Sequence, residues 1–225
     1  MNLGRLRQEL RLAVADSSLA VYFTEWINDA ILELATDFDL PALKRRTPYP
    51  FTVSTADWLF AAPACFHKKI FQARDSDYNA IRLRPRGLAD LDLLDYDHDD
   101  AGDHVTDLAW EESGTPGYVG VFPKANETIN LWFYEPPATL VNEADEPVCI
   151  PAPYRARVIL PKVIIKNFRL LQDMSVDPPH DSLKYWEAEY AKGLYGGARG
   201  DVGLINYLAR AQGGPRRHGG RDPLP

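Results

Sequence analysis

The chain has 225 residues, 45% of them hydrophobic and 25% charged, with a formal net charge of −7 and two cysteines. That is enough apolar material for a core of one or two domains, and it excludes a wholly disordered chain. The acidic balance excludes a protein that grips nucleic acid over its whole surface, two cysteines exclude a disulfide scaffold, and no apolar run reaches the ~18–20 residues that cross a bilayer.

Residues 3–14 are predicted to form a helix, because Leu3, Leu6, Leu10 and Val14 recur at three- and four-residue steps. The first twelve residues carry Arg5, Arg7 and Arg11 without an apolar stretch or a small-residue cleavage site. They do not read as a secretory signal, and the expected place of synthesis is a cytoplasm. Asp16, Ser17 and Ser18 then offer capping oxygens for a second helix over 19–38. Phe23, Ile27, Ile31, Leu34 and Phe38 form its apolar stripe, widened by Trp26 and Ala30. Glu25, Asp29, Glu33 and Asp37 form an acidic opposite face, read as solvated, or as facing a neighbouring subunit or a lumen. Pro41 is expected to stop the helix.

From Lys44 the texture changes to short strand-like runs between prolines. The predicted strands lie near 51–53, 69–73, 80–84, 118–122 and 128–134. In the last, Ile129, Leu131 and Phe133 point one way and Trp132 and Tyr134 the other. Helical pattern returns over 154–172, with a kink or a break expected near Leu160 because Pro161 falls inside it. A further helix is expected over about 182–194, with Leu183, Trp186, Tyr190 and Leu194 as its stripe, and a short one over 202–211. The remainder, 213–225, has almost nothing apolar and carries Arg216, Arg217, His218 and Arg221, so it reads as a flexible basic tail.

The expected class is therefore α+β. Helices of 1–46 and 154–212 would form one bundle, 47–153 a β-rich insertion lobe, and 213–225 an extended tail.

The residues that most invite a chemical role are Asp90–Asp107, with eight aspartates and two histidines. Asp95, Asp97 and Asp99 alternate as in a calcium loop, and His98 could join them around a transition metal. Asp100 stands where that loop needs glycine, and Thr106 where it needs a bidentate glutamate. A solvated acidic loop is the favoured reading, with a metal-binding protein or enzyme using 95–104 as the alternative. Nucleophile and phosphate-loop motifs are absent from the sequence, and Cys65 with His67 two residues on is a weak catalytic pair. The tryptophans are read as core rather than sugar-stacking platforms. No cofactor is expected.

Several pieces, in order, resemble the head-to-tail connector adaptors of tailed phages, prophages and gene transfer agents. They are Trp26-Ile-Asn-Asp-Ala30 with Asp37-Phe-Asp-Leu-Pro-Ala-Leu43, where Leu40 replaces the family's aromatic; Ala61-Ala-Pro-Ala-Cys-Phe-His-Lys-Lys-Ile70; Gly114-Thr-Pro-Gly-Tyr-Val119 with Ile129-Asn-Leu-Trp-Phe-Tyr-Glu-Pro-Pro137; Val148-Cys-Ile-Pro-Ala-Pro-Tyr154; and Tyr185-Trp-Glu-Ala-Glu-Tyr190. The resemblance spans about 20–195 and implies a non-enzymatic virion subunit. It implies a homo-oligomeric ring, commonly of twelve subunits, with portal protein on one side and a stopper or tail protein on the other. Double-stranded DNA would pass through the lumen without sequence-specific binding, and no membrane is implied. A stopper or tail-terminator subunit is the runner-up, but those are more uniformly β. The resemblance gives the tail a portal-docking role through Arg216, Arg217, Arg221, Pro223 and Leu224. It also makes Phe23, Trp26, Ile27, Ile31, Leu34, Trp186 and Tyr190 candidates for subunit packing.

Overall fold

A computed structural model describes residues 1–14, 17–84, 86–111, 117–172, 180–197 and 201–211, with backbone alone for Ser17, 167–172 and 180–182. Both helices and strands are present, so the class is α+β. The described chain divides into two units, 1–42 with 137–225, and 43–136.

Among the described residues of the first unit all regular structure is helical. Helix α1 (Leu3–Ala13) starts where the Asn2 side chain accepts the Arg5 N–H at 3.1 Å, and its stripe of Leu3, Leu6 and Leu10 is fully buried. A tight 3₁₀ turn, Ser17–Tyr22, takes the place of the expected first turns of the second helix. Helix α2 (Phe23–Asp37) follows and buries Phe23, Ile27, Ala30, Ile31, Leu34 and Ala35. It ends four residues before Pro41, which opens another 3₁₀ turn, Pro41–Leu43.

Pro161 has the effect expected of a proline inside a helical pattern, but through a widened turn rather than a break. An α-helix would bond the Arg157 carbonyl to the N–H of residue 161, which proline lacks. The chain answers with a π turn, Arg155–Ile159, before α4 (Leu160–Gln172). Helices α1, α2 and α4 pack on one another, α5 (His180–Tyr195) packs on α4, and α6 (Leu204–Ala211) on α5.

Residues 137–153 were expected in the β lobe and instead belong to the helical unit. Their backbone is taken up by the N-terminal helices. Leu3 N–H donates to the Asp145 carbonyl at 2.8 Å and Gly4 N–H to that of Glu143 at 3.0 Å. The Asn28 side chain bonds both backbone groups of Leu140. The orphan donors of a helix start thus find acceptors in this segment.

The described residues of the second unit form two sheets. One is antiparallel, with β7 (Glu127–Tyr134) between β1 (Tyr49–Val53) and β3 (Lys68–Arg74). The other runs β2 (Leu59–Ala61), β6 (Tyr118–Phe122), β5 (Asp107–Glu111), β4 (Arg82–Arg84), with β4 and β5 parallel. One apolar core draws on both: Phe51, Val53 and Ile70 with Ile129, Leu131 and Phe133 from the first sheet, and Leu108, Val119 and Val121 from the second. The expected two-faced alternation of β7 holds at Ile129, Leu131 and Phe133, all fully buried, but Tyr134 is buried as well. Strands β2 and β5 had no sequence signal: β2 has three residues, and β5 begins at the last of the eight aspartates.

Candidate interaction surfaces

Three of the four acids on the acidic face of α2 are paired within the chain. Asp29, Glu33 and Asp37 lie one turn apart, and two lysines one turn apart on α4 meet them. Lys162 Nζ is 3.1 Å from Glu33 Oε2 and 3.2 Å from Asp37 Oδ2, and Lys166 Nζ is 2.9 Å from Asp29 Oδ2 and 3.3 Å from Glu33 Oε1. Burial disfavours the Lys162 charge, but Tyr190, Glu33 and Asp37 outweigh it and hold the ammonium above its ordinary range. Burial likewise raises the Glu33 carboxyl, and Lys162 and Lys166 more than reverse it. Lys162 also sits 5.9 Å over the Tyr190 ring, so one side chain ties α2, α4 and α5 together. Over Asp29, Glu33 and Asp37 the stripe expected to be solvated, or to face a neighbouring subunit or a lumen, is an intramolecular charge ladder, while Glu25 is exposed.

The acidic run is likewise built into the fold. Ala89–Asp92 forms a single helical turn, α3, whose Leu91 is fully buried. It lies on β6 at Gly120, where a Cβ would meet Leu88 and Leu91 side-chain carbons at 2.8 Å and Trp58 at 3.2 Å. The imidazole of His98 stacks on Trp58, 3.6 Å between ring centres and 6° from parallel, while its Nε2 reaches Asp92 Oδ1 at 2.9 Å. Asp95 Oδ2 accepts the Asp100 N–H at 2.9 Å. That bond, ahead of those from Asp97, Asp99 and His98, holds its carboxyl below the ordinary range.

Further along, buried Asp107 pairs with Arg84, Nε to Oδ1 at 2.7 Å. His104 lies 3.4 Å from Glu127 and 3.6 Å from Asp77. Glu127 also accepts the Val105 N–H at 2.6 Å and the Ser76 N–H at 3.2 Å. Among the described residues no three His, Cys, Asp or Glu side chains converge as a metal site. Asp95, Asp97, Asp99 and His98 do not assemble around a common point, because His98 is turned onto Trp58 and Asp95 onto its own loop. Nothing local to His98 announces the stack on Trp58, forty residues away.

Of the candidates for subunit packing, Phe23, Ile27, Ile31 and Leu34 are at most 1% exposed in the single chain. They form the core of the single chain. Trp26, Trp186 and Tyr190 are only half-buried. Trp26 stacks on Tyr22, with ring centres 5.9 Å apart. Trp186 lines a groove of about 310 Å³ with Leu160, Pro161, Tyr185 and Gly193. The tail residues Arg216, Arg217, Arg221, Pro223 and Leu224 lie outside the described residues.

The cysteines are unpaired. Burial pushes the Cys149 thiol up to about 11, an inert position. Cys65 Sγ lies 3.9 Å from an Arg45 guanidinium nitrogen, and the His67 N–H donates to the Tyr134 carbonyl at 2.9 Å.

What the surface does present is exposed apolar side chains. Leu93 and Tyr96, at 80% and 85% exposed, stand beside the aspartates of α3 and the loop after it, and Leu12 and Val21, at 79% and 75%, lie on α1 and the turn that follows. No described helix is long and apolar enough to cross a membrane.

A family model described as SU10 adaptor protein matches residues 1–215. No curated protein matches the chain.

Proposed function

Because the chain belongs to the SU10 adaptor protein family, a phage head-to-tail adaptor family, we propose that it forms the adaptor ring of the phage neck. As a structural component of the virion, it would join the portal to the stopper or tail and continue the DNA channel. The match over nearly the whole chain is the observation that carries this reading.

The remaining features support it. The helices drawn from the two ends of the chain would make the bundle of the ring, with the β unit as its lobe. The role is non-enzymatic. Buried apolar stripes and the ion pairs that Asp29, Glu33 and Asp37 make within the chain are what a scaffold needs. A net charge of −7 suits a channel wall that lets DNA slide rather than stick. The basic tail, through Arg216, Arg217, Arg221, Pro223 and Leu224, would order on the portal, its arginines pairing with portal carboxylates. Synthesis takes place in the host bacterial cytoplasm.

The test is negative-stain electron microscopy of the protein mixed with purified portal, beside portal alone. An added ring of density at cyclic symmetry beneath the portal is the expected result. Portal particles unchanged by a folded, monodisperse protein would overturn the reading. A truncation after residue 212 should fold normally and dock less tightly, and equal docking would remove the role given to the tail.

A further inference from the structure

We infer that the subunits of this protein join head to tail through two unlike patches: the α1 surface of one copy and the acidic tip after α3 of the next. The inference rests on the ring reading above and names the contact that would build it.

The first patch lies on α1 and the neighbouring 3₁₀ turn, which pack on each other. Its apolar members are Leu12 and Val21, the two most exposed hydrophobic residues of the N-terminal helices, with Tyr22 at 49%. Arg5 and Arg11 are exposed on the same helix, and Glu9 lies 3.9 Å from Arg5. The second patch is the stretch 92–100. Leu93 and Tyr96 stand out at 80% and 85%, with Leu94 at 38%, and Asp92, Asp97, Asp99 and Asp100 are exposed around them.

Exposed apolar groups clustered among charges mark contact surfaces more often than isolated exposed residues do. Here the charge selects the partner. Two acidic tips repel, so the tip does not fit itself, whereas the α1 surface sets Arg5, Arg7 and Arg11 against Glu9 and Glu143 and carries the opposite sign. Each fits the other, apolar on apolar with arginine against aspartate. The tip is also held in shape before contact. Leu91 is buried beneath it, His98 is stacked on Trp58, and the Asp95 carboxylate accepts the Asp100 N–H. A preformed tip loses little entropy on docking. A contact between unlike patches is heterologous, and such a contact closes into a ring when its rotation divides a full turn.

The test is chemical cross-linking of Leu12→Cys, Leu93→Cys and the double variant, each assembled on purified portal and treated with a bis-maleimide, with wild type as the control for Cys65. Both positions are exposed, so the variants keep the fold. The expected result is a ladder at multiples of the 25.3 kDa chain with the double variant alone. Rings visible by microscopy without a ladder would overturn this interface and leave the ring reading intact. A dimer from either single variant would show an isologous contact and overturn the head-to-tail arrangement. Folded protein that forms no ring and no ladder would sink both readings together. As an independent readout, Leu93→Asp should lower the assembled fraction about tenfold at unchanged melting temperature, and full assembly of that variant would also overturn the proposal.

Discussion

Asn28 grips Leu140 from both sides: its Nδ2 donates to the Leu140 carbonyl at 3.0 Å and its Oδ1 accepts the Leu140 N–H at 2.9 Å. One amide side chain thereby does for a single residue what a neighbouring strand would do. It fastens the segment after Pro137 to α2, and Leu140 is 3% exposed, so water cannot take over the bonds.

Asn28→Ala should therefore cost about 1–3 kcal/mol, the price of leaving buried backbone groups unpaired. Chemical denaturation is the measurement. Asn28→Asp should be intermediate, because a carboxylate accepts the N–H but has no hydrogen to give the carbonyl. An alanine variant as stable as wild type would mean that the segment 137–153 is held by its other contacts.

Gly193 of α5 is placed so that a Cβ would fall 2.3 Å from the Arg157 carbonyl oxygen, in the π turn that Pro161 imposes. The obstacle is backbone, which cannot swing aside as a side chain can. Alanine favours a helix over glycine by about 1 kcal/mol, yet Gly193→Ala should destabilise by about 1–3 kcal/mol through the forced shift of α5. A calorimetric melting temperature at or above that of wild type would contradict the close approach.

His98→Ala removes the stack on Trp58 and the bond to Asp92. The expected loss is about 1 kcal/mol, with a change in near-ultraviolet circular dichroism as Trp58 loses its neighbour. In the same experiment a chelator, or added calcium or zinc, should leave the wild-type melting temperature unchanged. A metal-dependent rise would restore the loop 95–104 as a metal site.

His104 and Glu127 predict a pH dependence. The bond to Glu127, reinforced by the charges of Glu127, Asp77 and Asp75, outweighs the small cost of burial and raises the imidazole above 6.5. A raised folded value means that the stabilisation is complete below 6.5 and is lost as pH rises through the higher folded value. Burial raises the Glu127 carboxyl, but the Val105 and Ser76 N–H groups and His104 bring it below 4.5 overall, so its contribution is present above 4.5 and is lost in more acid solution. Melting temperature measured from pH 4 to 9 should be highest between those limits, and His104→Gln should flatten the alkaline side. Parallel curves for the two proteins would show the pair to be uncoupled from folding.

Where a feature depends on a short stretch of chain, the amino-acid sequence was sufficient. The stripes of α1 and α2 followed from the 3.6-residue period, the face of β7 from the two-residue period, and the disturbance before α4 from the missing N–H of Pro161. Asp29, Glu33 and Asp37 were legible as one face, but Lys162 and Lys166, more than 120 residues away, decided what that face is for. The aspartates between 90 and 107 carried the composition of a metal loop, and only the approach of Trp58, Gly120 and Arg84 turned the run into a cap and an ion pair. Phe23, Ile27, Ile31 and Leu34 could have been core or interface as long as only the helix was in view. Packing within one chain made them core, because apolar area already removed from water has nothing further to gain from a neighbouring subunit.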